Sequence, residues 1–379
     1  MIRCQLQKEN SYGKWPKTER FFSLLKCLIF PVPTLLLLVA MLGAWACRFV
    51  APSVFMPIAY LGLGFPLILI VYLIWIIVLL IFGAWKHLLL LLPTVICVPI
   101  MWDTFPVNLS SKPVVEANAR TFKLLTYNVA AFHYSENAAS KIAKLVEKED
   151  FDILCLQEYI EFRTKENEDF SKLLAKYPYS TVGDMTVDSH NRVVTLSKHK
   201  IVRSGVASKG KANNRAIYSD IVVGNDTIRV INAHLASNHI SYTDKQEIDS
   251  ISHGMKVDKV KDKIHTLDKK VSNNYVIREQ MANDIDSVIA QTKTRVIVCG
   301  DFNDVPVSYV YHKIKGERMR VANEELGWGY NYTFREAPFY FCIDHVLYQS
   351  DGFECLDYER VRVPYSDHYP SIVQFSIKQ

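Results

Sequence analysis

Charge is absent from three stretches near the start of this chain: 21 positions between Lys26 and Arg48, 37 between Arg48 and Lys86, and 15 from Leu88 to Trp102. A charged side chain at the centre of a bilayer costs roughly 2.5 to 3.5 kcal/mol, so uncharged runs of about 20 residues predict membrane spans. A cleaved signal peptide is excluded, because it has one short apolar core and here there are three. No run holds an internal ionisable residue of the kind that marks an ion pathway, which favours anchoring over transport. Net charge is missing from the remainder. Eight of the 44 lysines and arginines and three of the 39 acids lie in residues 1–106, leaving 36 of each sign in residues 107–379. A neutral domain argues against a long DNA duplex as the natural substrate, since such binding rests on cations that neutralise phosphates. A disulfide framework is missing too. Of eight cysteines, Cys4, Cys27, Cys47 and Cys97 lie in or before the apolar runs, and Cys155 and Cys299 read as small buried residues of core strands. Cys342 and Cys355 can pair only if neighbouring strands set them opposite each other.

What is present is a repeated kind of strand end. Val296-Ile297-Val298-Cys299 reads as a strand buried on both faces, and it changes abruptly to Gly300-Asp301-Phe302-Asn303. Residues 122–127 run into Asn128, residues 152–157 into Glu158, and residues 227–233 into His234. Asp344 lies inside the hydrophobic run Phe341 to Leu347, and Ser366-Asp367-His368 precedes a last strand from Tyr369 to Ile377. One Asp-x-Asn after an apolar run is an ordinary turn. A metal-competent or proton-handling side chain at every strand end is the arrangement that sheet proteins use for chemistry.

Tyr-Asn-Val at 127–129, Leu-Gln-Glu at 156–158, Asn-Ala-His-Leu at 232–235, Gly-Asp-Phe-Asn at 300–303, Ile-Asp-His-Val-Leu at 343–347 and Ser-Asp-His-Tyr-Pro at 366–370 together resemble the ordered motifs of the endonuclease/exonuclease/phosphatase superfamily. The resemblance covers about residues 120–379 and implies a metal-dependent phosphoester hydrolase with a deoxyribonuclease-I-like fold. It makes Asn128, Glu158 and Asp367 the metal ligands. It makes His368 the imidazole facing the scissile phosphate and Asp344 the carboxylate that orients it. Asp301 is then the group that positions or deprotonates the attacking water, Asn303 a donor to the phosphoryl oxygen, and His234 a second active-site histidine. Whether Asp301 or His368 is the base is left open. Cys342 stands where many bacterial relatives carry Arg, and the Pro-Ala-Trp-Cys-Asp-Arg pattern of inositol phosphatases is absent, which disfavours that subfamily.

The chemistry fits the residue types. Two carboxylates about 4 Å apart repel by roughly 4 kcal/mol at an effective dielectric near 20, so a site gathering Glu158, Asp301 and Asp367 implies a divalent cation. Oxygen ligands without thiolate point to Mg²⁺ or Mn²⁺.

The expected organisation is a basic cytoplasmic tail (1–26), a transmembrane region of about three helices (27–102), a linker (103–120) and a catalytic domain (121–379). The spans are placed at Cys27 to Cys47, Phe65 to Trp85 and His87 to Trp102. Short strands interleaved with few helices predict two packed mixed sheets with helices outside, an α/β/β/α four-layer sandwich. A solvated helical insertion is expected near 236–275, followed by a packed helix from Tyr275 to Gln291, with Arg278 and Gln280 as surface or packing groups. His190, His239, His253, His312 and His345 fit no motif and are read as packing or surface residues. The basic tail stays in the cytoplasm by the positive-inside rule, and three spans put the catalytic domain on the extracytoplasmic side. The substrate is then a phosphate ester near a membrane, whether lipid headgroup, nucleotide or nucleic acid, and no obligate protein partner is expected. The competing expectation is a non-catalytic membrane protein whose sandwich binds a phosphorylated ligand or partner.

Overall fold

The computed structural model describes residues 28–108, 113, 119–161, 167–183, 192–210, 215–237, 257–336 and 339–378. The basic tail, half of the linker, residues 238–256 of the expected insertion, and His190, His239 and His253 lie outside the described residues.

Strand pairing makes two six-stranded sheets. The first contains β1 (Arg120–Asn128), β2 (Ile153–Tyr159), β3 (Tyr179–Val182), β4 (Arg192–Ser197), β13 (Phe353–Arg360) and β14 (Ser371–Ile377), in the order β13-β14-β1-β2-β4-β3. The second contains β5 (Ile201–Lys209), β6 (Arg215–Val223), β7 (Asp226–His234), β8 (Arg295–Asp301), β9 (Met319–Val321) and β12 (Asp344–Gln349), in the order β5-β6-β7-β8-β12-β9. A small hairpin, β10 (Phe334–Glu336) with β11 (Phe339–Phe341), stands apart. Each large sheet is mixed: β1 and β2 run parallel, as do β7 and β8, and the other pairs are antiparallel.

Alternation along the strands builds three apolar layers. Phe122, Leu124, Ile153 and Cys155 of one sheet meet Ile228, Val230, Ile297 and Cys299 of the other in the central layer. Helix Ala138–Glu149 covers the outer face of the first sheet through Ile142 and Val146. Helix Val257–Gln291 covers the second through Met281, Ile285 and Ile289. The four-layer α/β/β/α sandwich follows.

Two local expectations are corrected. The insertion helix and the packed helix are one element of 35 residues, Val257–Gln291, because no Gly or Pro interrupts it. The run Phe341 to Leu347 is divided: Cys342 and Ile343 lie between β11 and β12, and the amides of Ile343 and Asp344 both donate to Thr333 Oγ1, at 3.1 and 3.0 Å. Cys342 and Cys355 are both free and buried, as are the other described cysteines.

The apolar region differs from three uninterrupted spans. The first run forms helix Pro31–Ala46, of 16 residues. The second divides into Met56–Leu63 and Phe65–Ile81, bent by 67° at Gly64 with Pro66 in the following turn. The third, which contains Pro93 and Pro99, is a sequence of short turns of helix, Trp85–Leu90, Leu92–Cys97 and Val98–Thr104. Among the described residues no single helix is long and apolar enough to cross a membrane.

These pieces pack on one another, with Phe65–Ile81 antiparallel to Pro31–Ala46. Phe30 stacks near Phe82 and His87 at one end, Trp75 Nε1 donates to Thr34 Oγ1 at 3.0 Å, and Cys97 Sγ reaches Met41 O at 3.4 Å farther along. The opposite end meets the sandwich. Ser53 donates through N and Oγ to the Glu279 carboxylate at 2.9 and 2.8 Å, Lys315 Nζ approaches Asp103 at 3.3 Å, and Val307 enters the apolar cluster of the helices.

Candidate active site

The two parallel strand pairs end side by side, and register assembles the site. Asn128 pairs with Gln157, next to Glu158, while Asp301 is flanked by His234 on β7 and by Asp344 on β12. Gly300 makes this convergence possible. Its φ of 131° is open to glycine, and a Cβ there would overlap the carbonyl oxygen of Ala233. Glu158 has φ 52° and Asn303 has φ 50°, both in the left-handed region that ordinary residues avoid. Glu158 sits where the β2 and β4 register shifts, between Leu156 and Tyr159, so an irregularity in the strand turns its carboxylate towards the site.

Asn128 links the two sheets. Its Nδ2 donates to Asp301 Oδ2 at 3.0 Å and to Glu158 Oε1 at 3.3 Å, while its Oδ1 accepts from Ala130 N at 3.1 Å. In this orientation Asn128 bridges the carboxylates, and the ligand role expected of it requires the amide to turn over. Asp301 Oδ1 accepts from Asn303 N at 2.8 Å, and Asn303 Nδ2 donates to Leu235 O at 3.1 Å. His234 Nε2 lies 3.7 Å from Glu158 Oε1 and 3.8 Å from Asp301 Oδ2, buried and without a hydrogen bond. His368 Nδ1 donates to Asp344 Oδ2 at 2.8 Å, and its Nε2 stands 3.7 Å from Asp301 Oδ2. Asp367 is half-buried beside it, with Oδ1 3.1 Å from the Ser366 hydroxyl oxygen.

Burial decides the electrostatics. Asp301 is buried, and desolvation raises its carboxyl above the usual range, with the charge of His368 opposing. Burial pushes the His368 imidazole down, but the carboxylates of Asp344 and then Asp301 outweigh it and hold it well above 6.5. Asp344, His368 and Asp301 therefore form a chain of proton-handling groups.

The donor set also fits a hard divalent cation. Asp301, Asp344 and His368 offer ligand atoms within 4.8 Å of one another, but Asp344 uses Oδ2 on His368. The carboxylate open to the site is Glu158, whose side chain is 29% exposed. Glu158 and Asp301 crowd one amide, which supplies a dipole but no positive charge between them. An oxygen-binding cation there would relieve their repulsion.

Some residues that hold this geometry carry no role in the sequence analysis. Gln157 Nε2 donates to Asn232 Oδ1 at 2.7 Å, a fully buried bond that ties the two sheets together beneath Glu158 and His234. Ser366 Oγ donates to Asn128 O at 2.7 Å and accepts from His368 N at 3.2 Å, joining the last motif to the first. The signal was there: Gln157, Asn232 and Ser366 are polar residues inside the motifs, one or two places from an acting side chain. Arg278, expected at a surface or in packing, is fully buried against the Tyr275 ring and 3.9 Å from Asp304. His345 is a buried core histidine whose Nε2 meets Asp304 O at 2.9 Å, and His312 is half-buried, 3.6 Å from Asp103.

Known families match two regions of the chain. The endonuclease/exonuclease/phosphatase family matches residues 125–368, and a domain of unknown function matches residues 26–104. An endonuclease/exonuclease/phosphatase family protein from Bacteroides thetaiotaomicron has a similar structure, with 17% identity and a TM-score of 0.50 over 69% of this chain and 100% of that one. The corresponding protein of Bacteroides vulgatus aligns at 13% identity and a TM-score of 0.47, covering 68% and 99%. The catalytic domain of human Nocturnin, with bound sulfate, aligns at 16% and 0.45, covering 68% and 95%. No curated protein matches the chain in sequence. The match over residues 125–368 shows that the chain belongs to the endonuclease/exonuclease/phosphatase family, whose members are hydrolases of phosphoester bonds.

Proposed function

We propose that this chain is a divalent-metal-dependent phosphoester hydrolase held at a membrane by its first hundred residues. The observation that carries the hydrolytic reading is the hydrogen-bonded pair of Asp344 and His368 set against Asp301, beside the carboxylate of Glu158. Glu158 and Asp301 would hold the metal, with Asn128 and Asp367 beside them. A bound Mg²⁺ or Mn²⁺ would offset the carboxylate charge and polarise a phosphoryl oxygen.

The chain's own residues supply the rest. Asp344 fixes a proton on His368 Nδ1, and the high basicity of that ring keeps Nε2 protonated near neutral pH. His368 then acts as a donor to the phosphoryl oxygen and not as the base. Asp301, whose Oδ2 lies 3.7 Å from His368 Nε2, would position the attacking water and take its proton. Asn303 and His234 orient the phosphoryl and leaving oxygens.

Membrane attachment is supported by where apolar surface lies. Among the described residues, 26 of the 33 exposed large hydrophobic side chains fall in residues 28–102. They form outward stripes at helical spacing, Val32, Leu35, Leu36 and Val39 on Pro31–Ala46 and Leu67, Ile70, Val71 and Ile74 on Phe65–Ile81, as lipid-facing side chains do. Helices of 16 and 17 residues measure roughly 24 to 26 Å against a hydrocarbon core of about 30 Å, a shortfall that tolerant lipids and snorkelling at Arg48 and Lys86 can absorb. Three passes put the basic tail in the cytoplasm and the sandwich on the other side.

The test assays the full chain in detergent with Mg²⁺ against bis(p-nitrophenyl) phosphate and p-nitrophenyl phosphate. Turnover abolished by chelation and by Glu158→Ala is expected. No turnover of any phosphate ester, with Glu158→Ala the same as the parent, refutes the hydrolytic reading, and failure to float with vesicles refutes attachment.

A further inference from the structure

The point where the chain leaves the apolar helices is joined directly to the active site. Gly329 N donates to Pro106 O at 2.7 Å, and Val107 pairs with Trp328. Five residues farther on, Phe334 pairs with His368 and its ring lies 5.1 Å from the imidazole. Five residues span at most roughly 17 Å, so the exit from the helices and the proposed phosphate-facing histidine are near neighbours.

The surface between them is aromatic. The rings of Phe105 and Tyr330 lie 5.2 Å apart, Tyr332 and Tyr340 5.3 Å, and Tyr332 and Tyr369 5.9 Å, a nearly continuous band from the last apolar helix to the residue after His368. Seven large hydrophobic side chains outside residues 28–102 are exposed among the described residues, and four of them, Val107, Tyr134, Trp328 and Tyr340, belong to this rim. Trp328 is 60% exposed. Two cations are stacked into the band: Arg335 over Tyr134 at 5.0 Å and Tyr369 at 5.4 Å, and Arg360 over Tyr332 at 4.8 Å. Arg335 is tied to the histidine segment, its N donating to Asp367 O and its Nε to Ser366 O, both at 3.0 Å.

Exposed Trp and Tyr with interleaved Arg form the composition that seats protein at the headgroup level of a bilayer. Resting on the membrane attachment proposed above, we infer that this rim lies against the lipid surface and that the ester hydrolysed is a phosphate ester of a lipid in the same bilayer. The arginines would meet its phosphate while the aromatic rings sit among the headgroups. Water adds to phosphorus, the ester oxygen leaves with a proton, and no oxidant or co-reactant is needed.

The test uses the full chain reconstituted in phosphatidylcholine–phosphatidylglycerol vesicles containing Mg²⁺. A nitroxide introduced by Trp328→Cys or Tyr340→Cys is expected to meet oxygen more readily than a water-soluble nickel chelate. One at Asp351→Cys, in the turn at the opposite end of β12, is expected to meet the chelate freely. Phospholipid turnover relative to bis(p-nitrophenyl) phosphate should fall about tenfold in Trp328→Ser/Tyr340→Ser, the scale of an aromatic ring withdrawn from an apolar surface. Rim labels as open to the chelate as the one at 351, or hydrolysis of nucleotide or nucleic acid without any of phospholipid, overturns the inference while leaving the hydrolase standing. Loss of the chain from floating vesicles overturns the attachment itself and the inference with it.

Discussion

Asp344→Asn isolates the interaction on which the proton chain depends. Asp344 Oδ2 and His368 Nδ1 are 2.8 Å apart, with side-chain exposures of 1% and 5%. A buried hydrogen bond between charged groups contributes roughly 1.5 to 3 kcal/mol, against about 1 for a neutral one. The folded His368 titrates well above its ordinary 6.5, so the pair stabilises the fold fully below pH 6.5 and loses that contribution as pH rises through the folded value. Asparagine retains an acceptor for Nδ1 but not the charge. It also turns an amide nitrogen towards the buried position of Asp344 Oδ1, which has no hydrogen-bond partner, and that penalty is the same at every pH. The variant should therefore lose about 2 kcal/mol more at pH 6 than at alkaline pH, read from urea titrations of the chelator-treated full chain in detergent. On the kinetic side, kcat should fall about a hundredfold or more, the scale of one misplaced proton-handling group, with KM little changed. A stability difference that does not vary with pH, together with a kcat within about threefold of the parent, would refute the argument.

Gly300→Ala should cost about 3 kcal/mol or more, since the new Cβ meets the Ala233 carbonyl in a backbone conformation that L residues avoid; a loss under about 1 kcal/mol in the same titration would contradict this reading of the β8 exit. Burial lowers His345 from 6.5 to about 4, so the fold carries its contribution above pH 6.5 and loses roughly 3 kcal/mol as pH falls through 4. His345→Gln, which keeps a donor for Asp304 O, should flatten that acid slope, and an unchanged slope would assign it elsewhere.

Much of the site was legible because its residues are local to strand ends. Asn128, His234 and Asp301 each terminate a strand and Glu158 lies one place from the end of β2, and the parallel pairing of β1 with β2 and of β7 with β8 brings those ends together. What sequence did not reveal were interactions between distant elements. Nothing in Leu-Gln-Glu says that Gln157 reaches across to Asn232, because that bond exists only once the sheets stack. The continuity of helix Val257–Gln291 is hidden in the sequence by a charge pattern that changes midway, whereas helix continuity depends on the backbone and not on side-chain polarity. The apolar runs were read correctly as uncharged, but Pro57, Pro66, Pro93, Pro99 and Gly64 set where the helices break. The position of Arg335 is not legible in sequence because it comes from β10 pairing beside His368, a contact between short segments without regular periodicity.

The central claim is that carboxylates from both sheets share one divalent cation. Mn²⁺ binding to the chelator-treated full chain, followed by electron paramagnetic resonance, tests it without requiring a substrate. One tight site per chain is expected, weakened at least tenfold by Glu158→Gln and again by Asp301→Asn, as removal of one ligand charge at a time implies. Binding unaffected by either change would place the ion elsewhere and leave the convergence of Asn128, Glu158, His234, Asp301, Asp344 and His368 without a metal to serve.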